Sequence, residues 1–186
     1  MQAAIDAMFE NGYHGTSVRQ IAERANMSVA NVYYYFPSKH DLLFRFMANS
    51  ADQLLAQLED MLHRTEPDPA HRLAAAVRLF VIRHTVRQAA ALVAVTELRS
   101  LEEEARIAVV AKRNAVEGLF RRIVQHGVEE GVFTTADVRL SVRAILDMGS
   151  SVSAWYRAGG SLSGEQIADR YAEMALAIVG APTPTD

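Results

Sequence analysis

Residues 17–43, SVRQIAERANMSVANVYYYFPSKHDLL, constrain the fold more than any other part of the chain. Ser17 and Gln20 have capping-box spacing, with a hydroxyl for the amide three residues on and a glutamine side chain reaching back. Ile21, Ala22 and Ala25 give the helix that follows a small apolar face. Asn26 suits its exit, because a short polar side chain tolerates the left-handed conformation found there. Ser28 sits where a second N-cap belongs, and Val32 and Phe36, four apart, form the buried stripe of a second short helix. At roughly 100° per residue, Ala30 and Tyr34 turn away from that stripe, flanked by Asn31 and Tyr33. Such a face is poor at burial and well suited to contacts in a groove. Pro37 breaks the helix, Ser38 recaps, and Lys39 opens a third.

Two short helices across a tight turn make a helix-turn-helix. The runs G-T-S-V-R-x-I-A-x-x-A (Gly15 to Ala25) and M-S-x-x-x-V-Y-x-Y-F-x-S-K (Met27 to Lys39) resemble the DNA-binding domain of the tetracycline-repressor (TetR) family. Asn26 departs from the family's usual glycine at the turn, and His40 from its usual acid after the lysine. The resemblance implies an all-α chain with a three-helix reader at residues 1–45 and a helical ligand-binding and dimerisation domain at 46–186. It implies DNA contacts from Ser17, Arg19, Ser28, Val29, Ala30, Asn31, Tyr33, Tyr34, Tyr35 and Lys39. Of these, Asn31 and Tyr34 are expected to read bases, and Ser17, Tyr35 and Lys39 to hold the backbone.

Half of the 186 residues are hydrophobic and 22% are charged, an ordinary globular balance able to bury a sizeable core. No apolar run approaches the roughly 20 residues of a membrane span, so no membrane partner is expected. Zero cysteines exclude a disulfide framework and a thiolate metal site, and fit a cytoplasmic protein. The net charge of −3 is not that of a protein held to DNA by bulk charge. Within residues 1–45, Arg19, Arg24, Lys39 and Arg45 balance Asp6, Glu10, Glu23 and Asp41. Affinity must then come from local placement, from helix N-termini aimed at phosphates, and from doubling in a dimer. Helix 1, expected over Gln2 to Glu10 and ended by Asn11-Gly12, starts almost without lead-in. In similar proteins several residues, often basic, precede it; either this chain is unusually short there or its first residues are missing.

Beyond Lys39 the pattern is helical throughout. Residues 39–63 carry Leu42, Leu43, Phe46, Met47, Leu54, Leu55, Leu58 and Leu62 on roughly one face. Two prolines in Thr65–Pro69 make the clearest break in the chain. Further helices are expected over 70–87, 89–100, 102–130, 136–157 and 164–179. The family likeness makes the helix after Lys39 the connection through which an effector acts on the reader. A broad apolar inventory in the middle helices (Phe80, Val81, Leu92, Val93, Val109, Leu119, Leu146, Met148) suits a small apolar effector. The expected pocket residues are Phe80, His84, Arg113, Leu146, Ser150 and Trp155. Arg83, Arg87, Lys112, Arg113 and Arg157 are candidates to converge at one mouth for an anionic head.

The last two helices carry apolar stripes and a small-residue patch, which suit either intramolecular core or a bundle across a two-fold axis. The family likeness favours a homodimer, with Val142, Gly149, Ser153, Tyr156, Ile167, Tyr171, Ala172 and Ile178 at the interface. The ending, W-Y-R-x-G-G-x-L-S then I-A-x-x-Y-x-x-x-A (Trp155 to Ala175), resembles a narrower group, the TetR-type repressors of fatty-acid and sterol breakdown. That likeness implies an acyl-CoA ester as effector.

Catalytic patterns are absent from the sequence. The six histidines are scattered without metal spacing, and neither G-x-S-x-G, nor a Walker loop, nor G-x-G-x-x-G occurs. No cofactor is called for. The expected function is a ligand-responsive, DNA-binding transcriptional regulator, a repressor on a palindromic double-stranded operator. The competitors are a helical adaptor using residues 1–45 for protein contacts and a helical enzyme acting on an apolar small molecule.

Overall fold

The computed structural model describes residues 1–181, and within them the regular structure is helical throughout. The first element, α1 (Gln2–Gly15), is two helical pieces joined at Gly12. Gly12, at φ 69° and ψ 167°, is not helical, so the first helix stops at the expected Asn11-Gly12 and a short second piece follows across the kink. The helix-turn-helix is α2 (Val18–Arg24) and α3 (Val29–Tyr35). Both expected caps form: Ser17 and Gln20 close a capping box, and the Ser28 side chain accepts the Asn31 amide at 3.1 Å. Asn26 has φ 52°, and the amides of Asn26 and Met27 return to the carbonyls of Glu23 and Ala22. The turn is thus a Schellman exit with asparagine in the glycine position.

A long helix, α4 (Lys39–Arg64), follows the Ser38 cap. Its 26 residues span about 39 Å at 1.5 Å per residue. Asp68 caps α5 (Pro69–Val86), whose first residue is the proline that a helix start tolerates. At Arg87 the chain bends by 96° into α6 (Gln88–Thr96), which tails off in a 3-10 turn over Glu97–Ser100. Then come α7 (Glu103–Glu129), α8 (Val138–Trp155) and α9 (Gly164–Ile178). No single helix among the described residues is long and apolar enough to cross a membrane.

Two apolar clusters share α4. The first joins Ala4, Ile5, Ala7 and Met8 of α1 and Ile21 to Leu42–Ala48, and also takes in Val93, Leu101 and Val109. The second begins at Leu54 and Leu58 and packs α5, α7, α8 and α9 together, with Phe80, Phe120, Ile145 and Val152 among its members. The reader's core therefore does not stop at residue 45. It runs to Ala48, ten residues into α4, and leans on α6 and the start of α7, while the lower half of α4 belongs to the other cluster.

Polar ties reinforce the seam between them. The His40 Nε2 accepts the Glu102 amide at 2.9 Å, so the first turn of α4 touches the N-cap of α7. Lys112 reaches Asp52 of α4, Arg83 reaches Ser50 and Gln57, and Arg87 reaches Gln53.

Candidate DNA-reading and effector sites

Only Val32 of α3 is fully buried, so one residue seats the helix and the rest of it faces out. Val29, Ala30, Asn31, Tyr33, Tyr34 and Tyr35 are all exposed, and Tyr34 is 81% accessible. Tyr34 and Tyr35 meet edge to face, centroids 5.2 Å apart, which gives the aromatic surface a fixed shape. Phe36 caps the C-terminus of α3 and is half-buried, a partial match to its expected place in the core. Ser17 and Ser28 stand exposed at two adjacent helix starts. Their hydroxyls are committed to capping, which keeps the amides of those first turns ordered.

The cations expected to anchor phosphates are all occupied within the protomer. Arg19 pairs with Glu23 at 2.9 Å, Arg24 with Glu10, and Arg45 with Asp41 at 2.9 Å. The Arg19 pair is wide open to solvent and is worth little, about 0–1 kcal/mol, so Arg19 can exchange its carboxylate for a phosphate. Lys39 is different. Its Nζ donates to the carbonyls of Tyr13 and Thr16, 2.7 Å each, and lies 4.2 Å over the Tyr13 ring. Partial burial lowers its pKa, with Glu97 opposing the shift. Lys39 thus satisfies the last carbonyls of α1 and fixes α4 against it, a role that the residue pattern did not suggest.

The six expected pocket residues are drawn from α5, α7 and α8. Phe80 and His84 are buried with ring centroids 4.4 Å apart, and the His84 Nδ1–H donates to the Phe80 carbonyl at 2.7 Å. Burial pulls the His84 pKa down, against the pull of that hydrogen bond, and Arg83 and Arg113 lower it further. The Arg113 guanidinium is itself largely buried and donates to the Ala94 carbonyl at 2.6 Å. These three gather at the junction of α5, α6 and α7. Leu146 and Ser150 are half-buried on α8, with the Ser150 hydroxyl donating to Asp147. Trp155 is 48% exposed at the end of α8 and lies beside Tyr171 of α9. The cations do not converge on a mouth: Arg83, Arg87 and Lys112 close on α4, and Arg113 turns inward.

The expected dimer residues need a similar correction. Val142, Gly149, Ser153, Ile167 and Ala172 are buried inside the protomer. A Cβ on Gly149 would come within 2.8 Å of the Phe80 ring, so this glycine lets α8 approach α5. Tyr156 and Tyr171 are half-buried, and Ile178 is exposed. Apart from Ile178, the open faces of the two helices are made by other residues. On α8 they are Leu140, Ala144, Ser151, Ala154 and Trp155, at helical spacing; on α9 they are Met174, Ala177 and Ile178.

A doubly capped helix-turn-helix presenting an aromatic and amide face, above a helical bundle with two open C-terminal helices, is the architecture of a DNA-reading regulator. Residues 1–46 match bacterial regulatory proteins of the tetR family, and residues 66–179 match the tetracyclin repressor-like C-terminal domain. The chain belongs to the TetR family of bacterial regulatory proteins. It is 28% identical over 173 residues to the HTH-type transcriptional repressor KstR2 of Mycobacterium tuberculosis, covering 91% of this chain and 86% of that one. It is also 28% identical over 165 residues to the fatty acid metabolism regulator protein of Bacillus subtilis, covering 83% of this chain and 80% of that one. A solved tetR-family regulatory protein from Rhodococcus RHA1 superposes with a TM-score of 0.90 at 31% identity, over 98% of this chain and 95% of that one.

Proposed function

We propose that the protein is a homodimeric, cytoplasmic transcriptional repressor that leaves its operator when a small apolar effector, an acyl-CoA ester, binds the helical domain. The observation that carries the DNA-reading half is the face of α3, a helix held by the Ser28 cap and one buried valine with every remaining side chain exposed. Tyr34 and Asn31 read base edges, Ala30 lets the backbone approach and touches a thymine methyl, and Tyr33 and Val29 flank them. Ser17, Arg19, Ser28 and Tyr35 meet the phosphates from the helix starts and the rim of the motif. Two copies joined through the open faces of α8 and α9 set two α3 helices one DNA turn apart, or a multiple of it, on a palindrome.

The working division of the chain, a reader followed by an effector domain, falls within α4 between Ala48 and Leu54, where one apolar cluster gives way to the other. The effector class is supported by the likeness to a regulator of fatty acid metabolism and by the C-terminal resemblance to lipid-breakdown repressors. Phe80, His84 and Arg113 lie in the interior of the effector domain. Catalysis has no support from the family, whose named relatives are regulators.

Fluorescence anisotropy on DNA from upstream of the protein's own gene tests the reading. Saturable, salt-sensitive binding is expected, and Tyr34→Ala or Asn31→Ala should cost about 1–3 kcal/mol of affinity and relax discrimination at a few base pairs. An adaptor without DNA function gives no such binding, and unchanged discrimination in both variants removes α3 from the readout.

A further inference from the structure

At the end of the molecule far from the reader, α4, α5 and α7 enclose a cleft of about 240 Å³ that none of the expected pocket residues lines. Its walls are apolar: Leu62 from the last turns of α4, Pro69 from the start of α5, and Leu119 and Ile123 from α7. Leu119 and Ile123 are members of the main core, so the cleft leads from the surface directly onto it. Arg72, Arg122 and His126 form the rim. A second depression of about 310 Å³ adjoins it and shares Arg122 and His126, adding Arg121, Gln125 and Glu129.

The two parts differ in chemistry. Neither Arg121 nor Arg122 has a hydrogen-bonded or ionic partner among the described residues, unlike Arg83, Arg87, Lys112 and Arg113. Arg72 uses only its Nε, on the Glu66 carbonyl at 3.2 Å. Of the acids nearby, Glu129 accepts from Gln125 at 3.0 Å, and Glu130 lies 3.2 Å from the His126 Nε2. Guanidinium forks with free N–H groups beside a small apolar slot select an oxyanion joined to an apolar chain.

We propose that this cleft is a binding site for an apolar chain with an anionic head, the chain between Leu62, Leu119 and Ile123 and the head on Arg72, Arg121 and Arg122. This assignment rests on the reading of an apolar, anion-headed effector and moves its seat away from Phe80 and His84. It also supplies a lever. A chain entering between Leu62 and α7 presses on the end of α4, the helix whose other end carries the reader.

Isothermal titration of the full chain with decanoate and with decanoyl-CoA tests the assignment. Wild type should bind at least one of them, and the one bound identifies the head as a carboxylate or a phosphorylated carrier. Arg121→Ala/Arg122→Ala should weaken binding by about tenfold or more, since two charge-assisted contacts are lost. Leu62→Trp should block the slot, whereas Arg83→Ala/Arg87→Ala should bind as wild type does. Arg121, Arg122 and Arg87 are exposed while Arg83 is half-buried against α4, and thermal melting checks the folding of both variants. The proposal is overturned if neither probe binds wild type, or if the 121/122 variant binds undiminished. Operator affinity measured on the same samples keeps the outcomes apart. Operator binding without probe binding removes the cleft and leaves the repressor, while a wild type that ignores the operator removes the repressor whatever the cleft does.

Discussion

At the residue scale the reader holds itself together with the charges that a DNA protein would be expected to offer outward. Lys39 is the clearest instance, with two backbone carbonyls and the Tyr13 ring as its partners. Lys39→Met is therefore expected to destabilise the fold by about 1–3 kcal/mol, the range for charge-assisted hydrogen bonds. The slope of log affinity against log salt should stay as in wild type. A slope reduced by about one unit with an unchanged melting curve would put Lys39 on a phosphate instead. His84 gives a second measurable consequence. Its pKa lies below the ordinary 6.5 in the folded protein, because burial disfavours its charged form and Arg83 and Arg113 add to the effect. The unfolded chain therefore binds the proton more readily, and stability is lost as pH falls from about 6.5 toward the folded pKa. Thermal melts between pH 7.5 and 5.5 should fall less steeply for His84→Gln than for wild type, and parallel curves would contradict this.

At the element scale the last two helices decide assembly. Gly149→Val drives a side chain into Phe80 and should destabilise each protomer by about 1–3 kcal/mol, as overpacking does. Ala144→Glu or Met174→Glu, on the open faces, should leave the protomer folded and separate the dimer in analytical ultracentrifugation, with operator affinity lost alongside. A folded dimer in both would place the interface elsewhere. The contrast shows what the sequence makes legible. Helix boundaries, the Ser17 and Ser28 caps and the Asn26 turn depend on neighbours within a few residues, so they could be read from the chain. Which stripe of α8 meets a partner depends on where α5 passes. Val142, Gly149 and Val152 form the more apolar stripe and look like an interface, but α5 occupies it. The less conspicuous Ala144, Ser151 and Ala154 are left open. The cleft was hidden for the same reason, since Leu119 and Ile123 are far in sequence from Leu62 and Pro69. Arg121 and Arg122 carried no signal beyond two adjacent charges on a helix.

At the scale of the whole molecule, α4 belongs to both apolar clusters, and α1 rests on α6. A ligand that shifts the lower cluster thus moves the reader through two contacts, along α4 and across the α6 seam. Ligand and operator then oppose each other by linkage, each weakening the other by the same factor. Emptying most of the operator requires several kcal/mol of differential affinity between the two arrangements. The most direct test is to titrate the preformed protein–operator complex with palmitoyl-CoA while following DNA anisotropy, with sedimentation of the protein alone in parallel. The expected result is a fall of anisotropy to that of free DNA while the protein remains dimeric. A complex that persists with the ligand demonstrably bound would contradict ligand-gated repression.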